Sequence, residues 1–279
     1  MISVKLKFSI INPFQALDYP YVLEKVIKTV PTKLRAESAP IPEYLFSRSV
    51  AGTSHQDLID SMTTLTNGEI YGRFFSFYPE RQVSLLHWLA HWLGKGVVPL
   101  ATLNLQKGLL APGQTIPDAW HHQMIFGVSS NGVFLTNPLE SVSEHVLIDQ
   151  LSSQSQLLVR RSDIISRWYP TCDLQILAEV ESDERWDNFN VLGQVMHILR
   201  EERQRPSVIH QQMAAVSPSE GDIPPSSTPK QDSNHSPGQR THVRIPAVYQ
   251  SGVTLFVNKI IHPDIFDELK SCPELPTKN

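Results

Sequence analysis

His121 and Asn137 are the two residues whose types and spacing point most directly to chemistry. They lie sixteen residues apart, at the ends of a segment typical of a β-hairpin: five mostly apolar residues, a Ser-Ser-Asn-Gly turn and the apolar run Val133–Leu135. Because a hairpin folds its two ends together, the imidazole and the amide are expected to be neighbours. The amide can then accept the ring N–H, fix the tautomer and leave the other ring nitrogen free to act as a base.

Size and composition indicate an ordinary globular chain. Its 279 residues are enough for one substantial domain and a small appendage. A net charge of −4 and a pI near 6.3 provide no electrostatic reason to expect nucleic acid or an anionic membrane as a partner. No run of about 18 apolar residues is present, so no transmembrane helix is expected.

The cysteine count points to a reducing compartment. Cys172 and Cys272 are the only two cysteines, too few for a disulfide framework. The first residues also lack the long apolar stretch of a signal peptide. The expected location is therefore the cytoplasm.

Hydrophobic periodicity and capping signals indicate the elements that must position the hairpin. Together they predict an α+β fold in which an antiparallel sheet is packed by helices. The helices are expected from Thr53 to Leu65 and over Glu80–Leu93, Arg160–Trp168 and Asn188–Arg205. The strands are expected over Tyr71–Phe77, Val97–Leu105 and Leu157–Val159 and within Val243–Val257.

Composition divides the chain into four stretches. Residues 1–50, interrupted by prolines, form a poorly defined N-terminal segment, and residues 51–215 form the main domain. Residues 216–241 are rich in Ser, Pro, Gln and Asp and are expected to be a disordered linker or insert. Residues 242–279 supply a C-terminal strand or strands and a tail, and a strand here is expected to rejoin the main sheet because an isolated hairpin is marginal in water.

The hairpin and the helix and strand before it resemble the C-terminal half of papain-like cysteine peptidases, in particular the branch that contains the bacteriocin leader-processing peptidases. In that family a His opens a strand, a Gly follows six residues later, and an Asn or Asp comes about sixteen residues after the His, commonly before Pro. His121, Gly127, Asn137 and Pro138 match these offsets, whereas His122 is one residue off. The resemblance covers about residues 55–170.

The resemblance implies a papain-like fold and a known mechanism. A cysteine thiolate would attack a peptide carbonyl, His121 would act as general base and then as general acid, and Asn137 would orient the ring. The family carries its nucleophilic Cys at a helix start upstream of the His, with a Gln shortly before it. This chain has no Cys upstream of His121, and Cys172 and Cys272 both follow it.

Two explanations of the missing nucleophile stay open. The chain is either an N-terminally truncated form or a papain-like fold that has lost catalysis. Both predict little or no hydrolytic activity, so the leading expectation is a peptidase-related protein that is truncated or inactive. The alternative is a non-catalytic module that holds a peptide or protein partner in the same cleft. No cofactor and no metal is expected.

Three other groups of residues have both a chemical and a structural interpretation. His122 lies on the opposite face of the strand from His121 and is the second candidate for the base. His87 and His91 share a helix face and suit a metal, with His121 or His122 as a further ligand, although such a pair is more often a half-exposed helix flank. Thr53-Ser54 heads a helix, where a hydroxyl nucleophile is conceivable and a simple helix cap is commoner.

Overall fold

The computed structural model describes residue 25 and residues 28–107, 116–204 and 240–278. Most of the linker predicted over 216–241, and about half of the N-terminal segment 1–50, lie outside the described residues. The elements below are numbered in chain order.

The described residues contain both helices and strands. The helices are α1 (Ile41–Val50), α2 (His55–Leu65), α3 (Leu85–Gly94), α4 (Glu144–Leu151), α5 (Arg161–Ile165), α6 (Arg185–Asn188), α7 (Val191–Arg203) and α8 (Pro263–Ser271). The strands are β1 (Ile70–Ser76), β2 (Val98–Asn104), β3 (Trp120–Ser129), β4 (Gly132–Leu135), β5 (Glu140–Val142), β6 (Gln156–Arg160), β7 (His242–Pro246) and β8 (Gly252–Asn258). A single 3₁₀ turn, Gln175–Ala178, precedes α6.

The strands form two antiparallel sheets. The larger has six strands in the order β1-β8-β2-β3-β4-β5, and β6 pairs with β7 in a second, two-stranded sheet. The predicted α+β class, with an antiparallel sheet packed by helices, is confirmed. Among the described helices, none combines the length and the apolar character needed to span a bilayer.

The larger core lies between one face of the six-stranded sheet and helices α3, α4 and α8. Alternate side chains of each strand point into it: on β3, Gln123 and Ile125 are buried, whereas Met124 between them is 40% exposed. The fully buried members of this core include Phe75, Leu85, Leu89, Leu103, Leu135, Leu147, Leu151 and Leu255. Helix α2 packs on the opposite face of the sheet, over β1, where Gly72 leaves room for Ile59.

A second core joins the small sheet to helices α1, α5 and α7. Its fully buried side chains include Ile41, Leu45, Ile164, Val195, Ile198, Val243 and Ile245. Trp186 closes it at 4% exposure and packs edge-to-face on Phe46.

Several predicted elements are confirmed within one to three residues. These are α2, β1, β2, the β3–β4 hairpin, β6 and α7. The helix predicted over Glu80–Leu93 begins only at Leu85, and residues 80–82 are bonded instead to the C-terminal segment. The N–H of Gln82 donates to the carbonyl of Pro276 at 2.8 Å, and Arg81 donates to the carbonyl of Leu275 at 2.9 Å. The helix predicted over 160–168 is short and ends at Ile165.

The predicted strand region Val243–Val257 is two strands. The second, β8, joins the main sheet as expected and lies between β1 and β2, while β7 pairs with β6. Helix α1 lies within the N-terminal segment 1–50, for which the sequence predicts no long helix. Pro42 in its first turn, followed by Glu43, is the local signal for its start.

Candidate functional site

The hairpin positions His121 just beyond the paired part of its two strands. β3 pairs with β4 only from Ile125 onward, whereas its first residues pair with β2. His121 lies opposite Leu103 of β2 and is exposed. The imidazole therefore stands at the solvent-facing end of the sheet face that carries the larger core.

Asn137 follows β4 by two residues and turns the chain away from β3. Its φ is +59°, and the next residue, Pro138, has no N–H to continue a ladder. The main-chain carbonyl of Asn137 accepts a hydrogen bond from Nε2 of Gln123 at 3.1 Å. Asn137 is thus held beside Gln123, two residues along β3 from His121. Within the described residues no hydrogen bond joins the His121 ring to the Asn137 side chain, so their pairing stays a prediction.

Gln123 is a site residue that the sequence pattern did not single out. Its side chain is only 1% exposed and lies on the same strand face as His121. Besides Asn137, Nε2 donates to Oε1 of Glu140 at 3.0 Å, while Oε1 of Gln123 has no hydrogen-bond partner among the described residues. The available signal was a polar residue at the inward position two before Ile125, where strand alternation calls for an apolar one.

His122 faces the opposite side of the sheet and is committed to structure. Its Nε2 lies 2.8 Å from the carbonyl of Thr53, and its Nδ1 lies 3.1 Å from Oγ1 of Thr102. Since a carbonyl only accepts, Nε2 carries the proton and Nδ1 accepts from the threonine hydroxyl. Burial lowers the pKa of His122 and outweighs the hydrogen bond to Thr53, which raises it. With both ring nitrogens bonded, His122 joins β3 to the start of α2 rather than serving as a base.

Ser54 caps the N-terminus of α2. The Ser54 hydroxyl accepts from the N–H of Asp57 at 3.1 Å and donates to its carboxylate at 2.6 Å, while the N–H of Ser54 donates to the same carboxylate at 2.9 Å. This hydrogen bond from Ser54 lowers the pKa of Asp57. The serine hydroxyl is therefore bonded to a carboxylate and not to an imidazole, which disfavours its use as a nucleophile.

The two cysteines are not activated. Cys172 is half-buried against the second core and Cys272 against the first. Burial raises the pKa of each thiol above its ordinary value. A thiol with a raised pKa is a poor nucleophile at neutral pH.

His87 and His91 are both exposed and have local partners. Nδ1 of His87 lies 2.8 Å from the Ser84 hydroxyl, and Nε2 of His91 lies 3.1 Å from Oε1 of Glu268. In the part of the chain that the structure describes, no three His, Cys, Asp or Glu side chains are grouped to hold a metal ion.

The outer edge of β3 beside His121 has no main-chain hydrogen bond to a described residue. The N–H of Leu105 donates to the carbonyl of Ala119 at 2.6 Å, so odd-numbered residues of early β3 direct their main-chain groups toward β2. The main-chain N–H and C=O groups of Trp120 and His122 consequently point away from β2. Along this edge of β3, the first residue with a main-chain hydrogen bond to a described residue is Met124, whose carbonyl accepts from the N–H of Thr136 at 3.0 Å. We call the main chain of Trp120 and His122 the β3 edge.

Acidification from about pH 7.5 to about pH 5.5 is expected to lower the free energy of unfolding. The His122→Gln variant is expected to show a smaller decrease over the same pH range. Because burial holds the pKa of folded His122 below its ordinary 6.5, the unfolded chain takes up the proton first. Stability is therefore full above about pH 6.5 and declines as the pH falls below it, by at most about 1.4 kcal/mol per pH unit for one proton. Urea unfolding across this range measures the slope. Burial also lowers the pKa of His55 and His242, so part of the slope should remain; a slope identical to that of the wild type would contradict the assignment to His122.

Comparison of the chain with protein-family models, with curated proteins and with solved structures gave no match. What the site can do therefore follows from its own geometry.

Proposed function

We propose that this chain is a papain-like cysteine peptidase-related protein that holds an extended peptide at the β3 edge without cleaving it. The observation that carries the proposal is the edge itself, where the main chain of residues 120 and 122, on either side of His121, has no hydrogen bond to the part of the chain that the structure describes. Unpaired main-chain groups on a strand edge are a template for an added strand. Free cysteines and the acidic pI support a cytoplasmic location.

The β3 edge suits an extended segment of a few residues. The N–H and C=O of Trp120 and of His122 are presented about two strand residues, or roughly 7 Å, apart. A bound peptide would pair with these groups, and its alternate side chains would lie on the same sheet face as His121 or on the opposite face beside Met124. Met124 and Val98, which are 40% and 45% exposed, provide apolar surface on that second face.

The surroundings of His121 favour holding over hydrolysis. Both described thiols have raised pKa values, and the Ser54 hydroxyl is bonded to Asp57. An imidazole without a nucleophile to deprotonate retains only the capacity to contact the peptide. Loss of the nucleophile removes most of the rate enhancement of a peptidase while binding can survive.

The test is capture of peptides by the immobilised full chain from a tryptic digest of casein, followed by resynthesis of a captured sequence. N-methylation of alternate peptide nitrogens is expected to abolish binding in one register and leave it intact in the other, because only every second N–H faces the β3 edge. His121→Ala is expected to weaken binding about tenfold in a fluorescence polarisation assay. His145→Ala, which removes an exposed imidazole on α4, is the matched control and should leave affinity unchanged.

Three results would contradict the proposal. Equal sensitivity to N-methylation at every position, or no capture at all, would exclude strand addition at β3. Specific labelling of Cys172 by a thiol-directed peptidase probe, abolished by His121→Ala, would instead identify an active enzyme. Full-length captured peptides and no labelling are expected.

A further inference from the structure

A polar cavity lies apart from His121, where α1, the end of β6 and the residues just before β3 meet. It encloses about 210 Å³, many times the ~15 Å³ that one water needs. Its lining is almost entirely polar: Arg35, Glu37, Tyr44, Arg48, Asp118, Arg160 and Asp163, with Ile116, Pro117 and Leu158. We call it the arginine cavity.

Three guanidinium groups of the cavity surround one carboxylate. Nη1 of Arg35 lies 3.1 Å and Nη1 of Arg48 3.5 Å from Oδ1 of Asp118. Burial of Asp118 opposes its ionisation, but the hydrogen bond from Arg35 and the charges of Arg35, Arg48 and Arg160 outweigh it and lower its pKa. The cavity is therefore already a place where a carboxylate is stabilised.

Arg48 has hydrogen-bonding capacity that the described residues do not use. Its side chain is only 8% exposed, yet Nε has no hydrogen-bond partner among the described residues and the contact to Asp118 is long. A guanidinium has five N–H donors, and a buried donor without a partner costs about 1–3 kcal/mol. Arg160 contributes Nε to the carbonyl of Ile116 at 2.9 Å, and its two Nη atoms have no hydrogen bond to a described residue.

The other charged groups leave a small positive excess. Glu37 pairs with Arg167 at 3.1 Å and lies 3.9 Å from Arg35, and Arg167 stacks on the Tyr44 ring at 3.8 Å. Counting Arg167 with the lining arginines gives four cations, against the three carboxylates Asp118, Glu37 and Asp163. One negative charge would complete the balance.

We propose that the arginine cavity binds an oxyanion group, either a carboxylate or a phosphate, that belongs to a larger molecule. Arg48 and Arg160 hold this group. Guanidinium groups match both kinds of group through paired N–H···O bonds. The Tyr44 hydroxyl is a further donor: burial, followed by the charge of Asp163, raises its pKa, so it stays protonated at neutral pH. The arginine cavity shares no lining residue with the β3 edge, and its test uses no peptide, so the two proposals can fail separately.

Isothermal titration of the full chain with inorganic phosphate, with acetate and with chloride at constant ionic strength tests the site. Saturable binding of one phosphate or one acetate per chain, with none of chloride, is expected. Arg48→Gln and Arg160→Gln should each weaken it at least tenfold, whereas Arg200→Gln, which removes an exposed arginine on α7, should not change it. Circular dichroism establishes that each variant is folded, and Arg160, being less buried than Arg48, is the safer substitution.

Asp118→Asn separates an anion site from a closed ion-pair cluster. Removing the internal carboxylate should strengthen phosphate or acetate binding about tenfold, because the guanidinium groups lose a competing partner. Preference for phosphate assigns a phosphate group as the natural ligand, and preference for acetate assigns a carboxylate. Absence of saturable binding in the wild type, binding that appears only in Asp118→Asn, or binding that persists in folded Arg160→Gln and Arg48→Gln would overturn the proposal.

Discussion

Replacement of Arg161 by alanine is expected to lower the free energy of unfolding by about 3–5 kcal/mol. The side chain is 5% exposed and forms ion pairs with Glu201 and with Glu202, the latter at 3.0 Å. It also donates to the carbonyl of Arg240 at 3.2 Å. The alanine variant would remove the buried guanidinium from two partly buried carboxylates, of which Glu201 keeps only the exposed His197 as an ion-pair partner among the described residues, and this is the costly way to break a buried ion pair.

The ion pair of Arg161 with Glu201 also predicts that the free energy of unfolding decreases in acid. Burial opposes ionisation of Glu201, but the hydrogen bonds from Arg161 and from the main chain of Arg240, with the charges of Arg161 and His197, outweigh burial and hold the pKa of Glu201 below its ordinary 4.5. The folded state therefore releases this proton more readily than the unfolded chain. The contribution is full above about pH 4.5 and is lost as the pH falls through the lower folded value.

Urea unfolding at pH 7, followed by the fluorescence of Trp168 and Trp186 in the second core, measures the loss. Arg200→Ala is the matched control and should change stability by less than about 0.5 kcal/mol. Arg161→Met combined with Glu201→Gln and Glu202→Gln should recover part of the loss, because neutral side chains then replace the guanidinium and both of its carboxylate partners. A change below about 1 kcal/mol in Arg161→Ala would mean that the ion pairs do not hold this core together.

Replacement of Gln106 by alanine is expected to lower the free energy of unfolding by about 2–3 kcal/mol. Gln106 is 8% exposed, and its amide is bonded like an extra peptide group between two segments. Nε2 donates to the carbonyls of Pro117 at 3.0 Å and Leu158 at 2.9 Å, and Oε1 accepts from the N–H of Leu158 at 2.6 Å. Alanine would leave the N–H and carbonyl of Leu158 and the carbonyl of Pro117 without these partly buried partners.

Gln56→Ala is the control for this second variant. Gln56 also bonds through Nε2, to Asp60 at 2.8 Å, but on an exposed helix face where water replaces the lost bond. Its expected cost is below about 0.5 kcal/mol in the same urea experiment. Because Pro117 and Leu158 line the arginine cavity, Gln106→Ala should also weaken phosphate binding there. Equal stability of the two variants would show that the buried amide is replaceable by water.

Local signals were sufficient where the physical cause is local. The Ser54–Asp57 capping box marks the start of α2, and alternation with a polar turn marks the β3–β4 hairpin. The same alternation separates His121 from His122, since neighbouring residues of a strand face opposite sides. What alternation does not reveal is which face receives which partner, and so the hydrogen bonds of His122 to Thr53 and Thr102 were not predictable.

The sequence by itself determined the class of fold and the hairpin, because hydrophobic period, caps and turn residues act over a few residues. It also predicts the pair His121 and Asn137, and this pairing stays a prediction. Only the tertiary structure decided that β8 enters between β1 and β2, that Gln123 holds Asn137, and that Arg35, Arg48 and Arg160 meet at Asp118. These contacts join residues far apart in the chain. Their free energy comes from burial and charge neutralisation between separate elements, which leave no repeating pattern in the sequence.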